Sequence, residues 1–309
     1  MQVIFNYDRN YGTKLPSAIA LGTFDGIHMG HRQLIYELLK KKRKFGFQTI
    51  VYTFLNHPLQ ALAPEKEPPR IMLLKEKIKT FSRLGIDVLV LNSFDDFFLH
   101  QTPREFLDQL YRKILVKSFI VGFNFRFGYK GAGDINYLKT EAEQTELDVV
   151  SVPPVELEGE VVSSTLIRNK IQEGNIKDAA RLLTQPYSIS GTIIHGFGRG
   201  KNMGFPTANL RFSSYKVLPA YGVYLTKCFV KGKDYWGLTN VGVNPTFSNG
   251  NVQVETYILD CNENLYGQTM KISFLERLRG EIKFDSSEAL IRQMELDSIK
   301  AKKLIYKKR

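Results

Sequence analysis

Gly22-Thr23-Phe24-Asp25-Gly26-Ile27-His28-Met29-Gly30-His31-Arg32 is the stretch whose reading decides the fold of this 309-residue chain. Before it, Ala18–Leu21 is a short apolar run of strand character. After it, Gln33–Lys44 sets Leu34, Leu38 and Leu39 at helical spacing among lysines and an arginine. The pattern predicts a strand, a glycine-rich turn and a helix start. Backbone amides at a helix start attract an anion. His28 and His31, three residues apart, can point to one side. The combination suits a polyphosphate, although three glycines and two imidazoles can also make a plain tight turn.

Working outward, apolar strands alternate with helical stretches. Gln48–Phe54 and Asp87–Leu91 read as strands, Ile71–Leu84 and Pro103–Ile114 as helices, and Ser118–Gly122 and Glu146–Val152 as further strands. This is the rhythm of an α/β unit with a parallel sheet. His57, in the proline-bounded loop after Phe54, falls near the carboxyl end of that sheet, where open α/β folds bind ligands. The alternate Phe123, Phe125 and Phe127 are core candidates, with glycines and Asn124 allowing a bend around a ligand. Ser163-Ser164-Thr165 ahead of a helical turn can cap it or meet phosphate oxygens, with Arg168 as a multidentate donor.

After Thr184–Pro186 the character changes. Short alternating strands, Tyr187–Ile194, Gly222–Val230, Lys233–Val241, Val252–Leu259 and Thr269–Leu278, precede one helical pattern at Ser286–Ile305. They predict a small antiparallel barrel with a terminal helix. The segment His195–Leu210 is rich in glycine, and Lys201 can neutralise a phosphate there. It is not a Walker A loop, because Asn202 follows Gly200-Lys201 where that loop needs Ser or Thr. Alternation in Val252–Leu259 puts Gln253, Glu255 and Tyr257 on the more polar face.

Composition bounds the function. With 43% apolar and 24% charged residues, the chain reads as a soluble globular protein. Two cysteines and five scattered histidines give no disulfide framework and no zinc spacing, so a catalytic metal would need oxygen ligands. The amino terminus lacks a signal-peptide pattern and no run reaches membrane-spanning length, which places the expected protein in the cytoplasm without a membrane partner. A formal charge of +12 is more often the mark of solvated helix ends, although an anionic nucleotide or nucleic acid would use the same field, and charge alone does not choose between them.

The first half resembles the HxGH nucleotidyltransferases, and Phe24-Asp25-Gly26 resembles the version in the bacterial bifunctional riboflavin kinase/FMN adenylyltransferase family. The resemblance implies that His28 and His31 bind ATP phosphates and stabilise charge. Gly22, Phe24, Asp25 and Gly30 would line the ATP site, and Ser163, Ser164, Thr165 and Arg168 would close over it. Asn124, Phe125 and Arg126 stand in the family's G-x-D-F-x-F-G segment and, with His57, would bind flavin. Asn124 replaces that segment's aspartate. Thr23 replaces an asparagine before Phe-Asp-Gly, and Asn56 replaces the proline before His-Pro.

Gly204-Phe205-Pro206-Thr207-Ala208-Asn209 resembles the riboflavin kinase signature. By that resemblance Thr207 and Asn209 contact Mg2+ and ATP phosphates, while Gly196, Gly198, Gly200 and Lys201 bind ATP. Glu255 would be the general base, with Asn244 and Arg277 at the flavin. The likeness covers nearly the whole chain and implies a Rossmann-like adenylyltransferase domain over 1–184 and a kinase barrel over 185–309. ATP, riboflavin and FMN would be substrates and FAD a product. Nucleic acid is not an obligatory partner in this reading, and the oligomeric state is not set by these motifs. Alternatives are a kinase whose first half adenylylates weakly or on another acceptor, and a flavin-responsive nucleic-acid-binding regulator.

Overall fold

The computed structural model describes residues 1–6, 11–143, 145–196, 204–243 and 252–307. The chain divides into two compact units, Met1–Ser164 and Thr165–Arg309.

The first unit is built on six parallel strands: β1 (Gln2–Phe5), β2 (Thr13–Leu21), β3 (Gln48–Phe54), β4 (Val88–Asn92), β5 (Ile114–Gly122) and β6 (Asp148–Val152). Their order is β1-β4-β3-β2-β5-β6, and each neighbouring pair is parallel. From β2 the chain winds through β3 to β4 on one side, then crosses back to β5 and β6 on the other. The carboxyl end of β2 is therefore the switch point, where a ligand crevice opens.

The helices are α1 (Met29–Phe45), α2 (Pro58–Leu62), α3 (Leu74–Arg83), α4 (Asp96–His100), α5 (Pro103–Tyr111) and α6 (Ile135–Glu143). Two apolar layers cover the sheet. One holds Ile19, Tyr52, Phe106 and Phe119, and the other Ala20, Val51, Phe81 and Leu34, Ile35 and Leu38 of α1. Helix α1 begins four residues earlier than the leucine spacing alone predicts, because the imidazole of His28 serves as its cap. It ends at Gly46, whose φ of 70° a β-carbon would oppose. Helix α3 starts at Leu74 rather than Ile71, after the Glu76 carboxylate accepts the Leu73 N–H at 2.8 Å. Among the core candidates, Phe127 is buried and Phe125 packs against the core, while Phe123 is exposed.

A two-stranded hairpin, β7 (Glu156–Leu157) with β8 (Glu160–Val161), leads to α7 (Ser164–Gln172), which begins at the last residue of the first unit. In the second unit follow α8 (Ile176–Leu183), β9 (Ser188–Ile194), β10 (Thr207–Phe212), β11 (Gly222–Val230), β12 (Lys233–Val243), β13 (Val252–Ile258), β14 (Thr269–Arg279) and α9 (Ser287–Tyr306). The strands close a barrel in the order β10-β13-β12-β11-β14-β9, antiparallel throughout.

The compact second unit starts earlier than the composition change at Thr184–Pro186. Within it, Gly174 after α7 lies under the Arg277 side chain, the Ala220 N–H donates to the Ile171 carbonyl at 3.3 Å, and Lys177 of α8 pairs with Glu276 of β14 at 2.9 Å. Helix α9 is tied to the barrel by Arg279, whose Nε lies 2.9 and 3.1 Å from the two carboxylate oxygens of buried Asp297. Inside the barrel, the hydroxyls of Thr226, Thr239 and Thr256 form a chain with 2.9 Å links, so a buried polar row is satisfied from strand to strand.

Candidate active sites

The turn after β2 is shaped by backbone that side chains rarely accept. Phe24 and Ile27 have φ of 50° and 45°, both in the left-handed region, and both side chains are fully buried. Burial of two large apolar groups offsets that strain. Close approach explains Gly22 and Gly30. A β-carbon on Gly22 would sit 3.2 Å from the Phe24 ring, and one on Gly30 would sit 3.3 Å from the His28 ring.

His28 caps α1, its Nδ1 accepting the His31 N–H at 3.4 Å, and the two imidazoles stack with centroids 3.7 Å apart. Phe24 packs on the other side of His31 at 5.1 Å. His31 Nδ1 is buried with no hydrogen-bond partner among the described residues. Burial, reinforced by the nearby positive charges of His28 and Lys77, holds the His31 pKa well below the ordinary histidine value. His31 is therefore a neutral imidazole at physiological pH.

Asp25 faces inward. Its carboxylate accepts the N–H groups of Ile71 at 3.2 Å and Met72 at 3.0 Å, fastening the turn to the segment that enters α3. The Asp25 carbonyl accepts the Ser164 hydroxyl at 2.9 Å, so the serine pair is joined to the glycine turn. The Thr23 carbonyl accepts Lys77 Nζ at 2.9 Å and Thr53 Oγ1 at 3.0 Å. Lys77 and Thr53 were not legible as site residues: Lys77 sits in a lysine-rich helix, and Thr53 looks like one more strand β-branched residue.

A cavity of about 870 Å³ opens at the carboxyl ends of the strands, with Gly22, Thr23, His28, Gly30 and His31 on its wall. Ser163 and Ser164 line it as well, and so do Asn124, Phe125 and Arg126. Its apolar side is aromatic: Phe54, Phe94 and Phe98 contact one another edge to face or tilted at 5.1 to 5.3 Å, and Phe98 meets Phe106 at 5.8 Å. Such a wall suits a planar heteroaromatic ring. The aromatic spacing at 94 and 98 is the signal in the sequence that could have found it. His57 caps α2, its Nδ1 accepting the Leu59 N–H at 3.1 Å, and its neighbour Pro58 reaches the cavity. In the second unit, Thr165 is exposed and Arg168 buried on α7.

The barrel builds a different site. In the glycine-rich segment, the end from Thr207 onward is strand. Thr207–Phe212 forms β10 because the one residue barred from a ladder donor, Pro206, lies just before it. Register pairs Asn209 with Glu255 and Thr207 with Tyr257 across β10 and β13, and pairs Asn240 of β12 with the same Glu255. Residues directly opposite share a face of the sheet. Thr207, Asn209, Glu255 and Asn240 therefore stand on one face, with Glu255 between two asparagines. Asn240 joins this face through its pairing with Glu255, a placement that its position in the strand alone does not reveal. The Asn209 amide lies so close to Gly196 that a β-carbon there would clash at 2.1 Å.

Arg277, on β14 beside a register shift, donates from Nη2 to the Tyr221 carbonyl at 2.7 Å and lines a cavity of about 490 Å³ with Tyr221, Val252 and Glu281. Gly198, Gly200, Lys201 and Asn244 lie outside the described residues. No cluster of three or more His, Cys, Asp or Glu able to hold a metal occurs among the described residues, so a cation here would rely on neutral oxygens such as those of Thr207 and Asn209.

Comparison with known proteins gives matches along the chain. Residues 12–166 match the family described as FAD synthetase, and residues 183–305 the family described as riboflavin kinase. A Listeria monocytogenes protein named bifunctional riboflavin kinase/FMN adenylyltransferase is 34% identical over 92% of this chain and 91% of its own. Proteins of the same name from Bacillus subtilis and Escherichia coli K12 are 34% and 33% identical, each over 92% of this chain and 91% of its own. A crystal structure from Streptococcus pneumoniae, described as a macrolide-efflux protein, aligns with a TM-score of 0.90 at 34% identity over 98% of this chain and 99% of that one. Among the described residues of this chain, no helix is long and apolar enough to cross a membrane.

Proposed function

This chain belongs to the bifunctional riboflavin kinase/FMN adenylyltransferase family, and from that premise we propose how its residues divide the work. The protein phosphorylates riboflavin with ATP to FMN, and adenylylates FMN with ATP to FAD and pyrophosphate. Adenylyl transfer is assigned to residues 1–184 and phosphorylation to residues 185–309.

In the kinase half, the terminal ribityl hydroxyl attacks the γ-phosphorus and the bond to the ADP oxygen breaks. An alcohol must shed its proton in this step, and Glu255 accepts it. Arg277 and Asn244 bind the flavin, and Gly196, Gly198, Gly200 and Lys201 the ATP phosphates. The hydroxyl and amide oxygens of Thr207 and Asn209 fit a hard cation and would hold Mg2+, which supplies charge neutralisation at the phosphates. The observation that carries the assignment is the pairing of Asn209 with Glu255, which brings the signature segment and the base to one face.

In the first half, the FMN phosphate attacks the α-phosphorus of ATP, and the bond to the β-phosphate oxygen breaks. This nucleophile is already ionised and needs no base. His28 and His31 act as donors that stabilise negative charge growing on the α-phosphoryl oxygens. Their support comes from the stacked pair at the start of α1, on the wall of the cavity. Gly22, Phe24 and Gly30 shape the ATP side, with Asp25 holding the turn. Ser163, Ser164 and Thr165 offer hydroxyls to the phosphates, and Arg168 is assigned with them by its motif. Asn124, Phe125, Arg126 and His57 take the flavin, beside the aromatic wall. Asn124 keeps an acceptor oxygen where the family has a carboxylate, which preserves hydrogen bonding without the charge. The enzyme is placed in the cytoplasm, in keeping with free thiols at Cys228 and Cys261.

The test is a time course with excess Mg-ATP, started in parallel from riboflavin and from FMN, with all three flavins resolved by chromatography. FAD from both starts is expected. FMN accumulating with no FAD from either start would overturn the assignment of the first half and point to Asn124, Thr23 and Asn56.

A further inference from the structure

Helix α3 carries lysines at 75, 77 and 79, and the middle one is turned inward with 8% of its surface exposed. An ammonium removed from water costs several kcal/mol unless its environment compensates. Two groups do so: Nζ donates to the Thr23 carbonyl at 2.9 Å, and the Asp25 carboxylate attracts the charge while Arg70 repels it. Thr53 Oγ1 donates to the same carbonyl at 3.0 Å from β3. One loop carbonyl is thus gripped from two elements. A trans peptide points its N–H opposite its C=O, so gripping the Thr23 oxygen also fixes the direction of the Phe24 N–H. Phe24 is fully buried behind the turn, while Gly22 and Thr23 line the cavity with the two histidines, so the gripped peptide joins the buried side of the turn to its cavity face.

We propose that Lys77 is a positioning residue for adenylyl transfer: by holding the Thr23 carbonyl with Thr53, it fixes Gly22 and Thr23, which line the cavity beside the two histidines, in place for the nucleotide. This rests on the assignment of the turn to that reaction. Lys77 also faces His31 electrostatically, together with His28, and its charge helps keep the His31 imidazole neutral. The residue acts through its neighbours and is not among those lining the cavity.

The test uses Lys77→Met in the full-length protein, which keeps the unbranched stem to within one atom and removes the ammonium. Misplacing a reacting group by about 1 Å costs on the order of 100-fold. The expected result is a fall of roughly 10- to 100-fold in kcat for FAD formation from FMN, with KM for FMN within about twofold of wild type. Riboflavin phosphorylation by the same preparation stays unchanged. Thr53→Val removes the second donor and lowers the same kcat by a smaller factor, which keeps the test decisive if Lys77→Met fails to fold. FAD formation within twofold of wild type in folded Lys77→Met, or an equal loss in both activities, would each overturn the proposal. So would a wild-type rate in Thr53→Val if that variant stands alone. His28→Ala is measured alongside: if it too leaves FAD formation intact, the assignment of the turn itself has failed.

Discussion

The glycine turn of the first unit and the β10–β13 face of the barrel, the two places proposed for ATP chemistry, are built in opposite ways. The turn is buried and tightly gripped. Its carbonyls are taken by Lys77, Thr53 and Ser164, its carboxylate by two amides, and its histidines by each other. On the barrel face, strand register places a carboxylate between asparagines on a half-exposed surface. The difference follows the nucleophile. An ionised phosphate needs fixed donors and no base, so a rigid, desolvated cradle serves it. An alcohol needs a carboxylate able to accept a proton, the role proposed for Glu255.

The sharpest way to break this contrast is to remove the base. Glu255→Gln is expected to lower riboflavin phosphorylation by roughly 100- to 10,000-fold, while FAD formation from added FMN continues at the wild-type rate in a coupled pyrophosphate assay. Next in size, His28→Ala removes one donor and the cap of α1. FAD formation from FMN should fall by roughly 100- to 1,000-fold, with FMN synthesis intact by chromatography. Gly30→Ala is milder, since its β-carbon would lie 3.3 Å from the His28 ring and displace it by a few tenths of an ångström. Initial rates should show a loss of about tenfold, confined to FAD formation.

Stability sharpens the same comparison. Asp25→Ala leaves the buried amides of Ile71 and Met72 without their acceptor. Denaturant unfolding of the variant should show a loss of about 1–3 kcal/mol. The pH dependence is smaller still. His31 is held below its unfolded value, so the unfolded chain binds the proton more readily. Stability is then lost as pH falls through about 6.5, and His31→Gln should flatten that slope in thermal melts. Lys77, pushed down to about 8, also binds its proton more tightly when unfolded. Its contribution therefore makes stability rise as pH climbs from about 8 toward the ordinary lysine value.

Much of both sites is legible in the sequence because it is local. The glycine pattern, the histidine spacing and the strand–helix alternation lie within short windows, and the structure places His28, His31, Asn124 and Ser164 on one cavity wall. Glu255 was legible only through its polar strand face and its family. What stayed hidden depends on partners distant in sequence. Lys77 looks like a solvated lysine until α3 packs behind the turn, and Asn240 means nothing until β12 lies beside Glu255. Strand β10 was obscured because Gly204 and Pro206 signal a loop, while the barrel's demand for a ladder partner overrides them from Thr207 onward. The short β1 and α4 carry too few residues for a periodic signal.

The central claim is that one chain holds two chemically separate centres, and crossing the two variants tests it directly. Glu255→Gln and His28→Ala are each given Mg-ATP with riboflavin and, separately, with FMN, and the flavins are followed by chromatography. The account predicts that Glu255→Gln makes FAD from FMN but almost no FMN from riboflavin, while His28→Ala converts riboflavin to FMN and stops there. Loss of both reactions in either folded variant would contradict it.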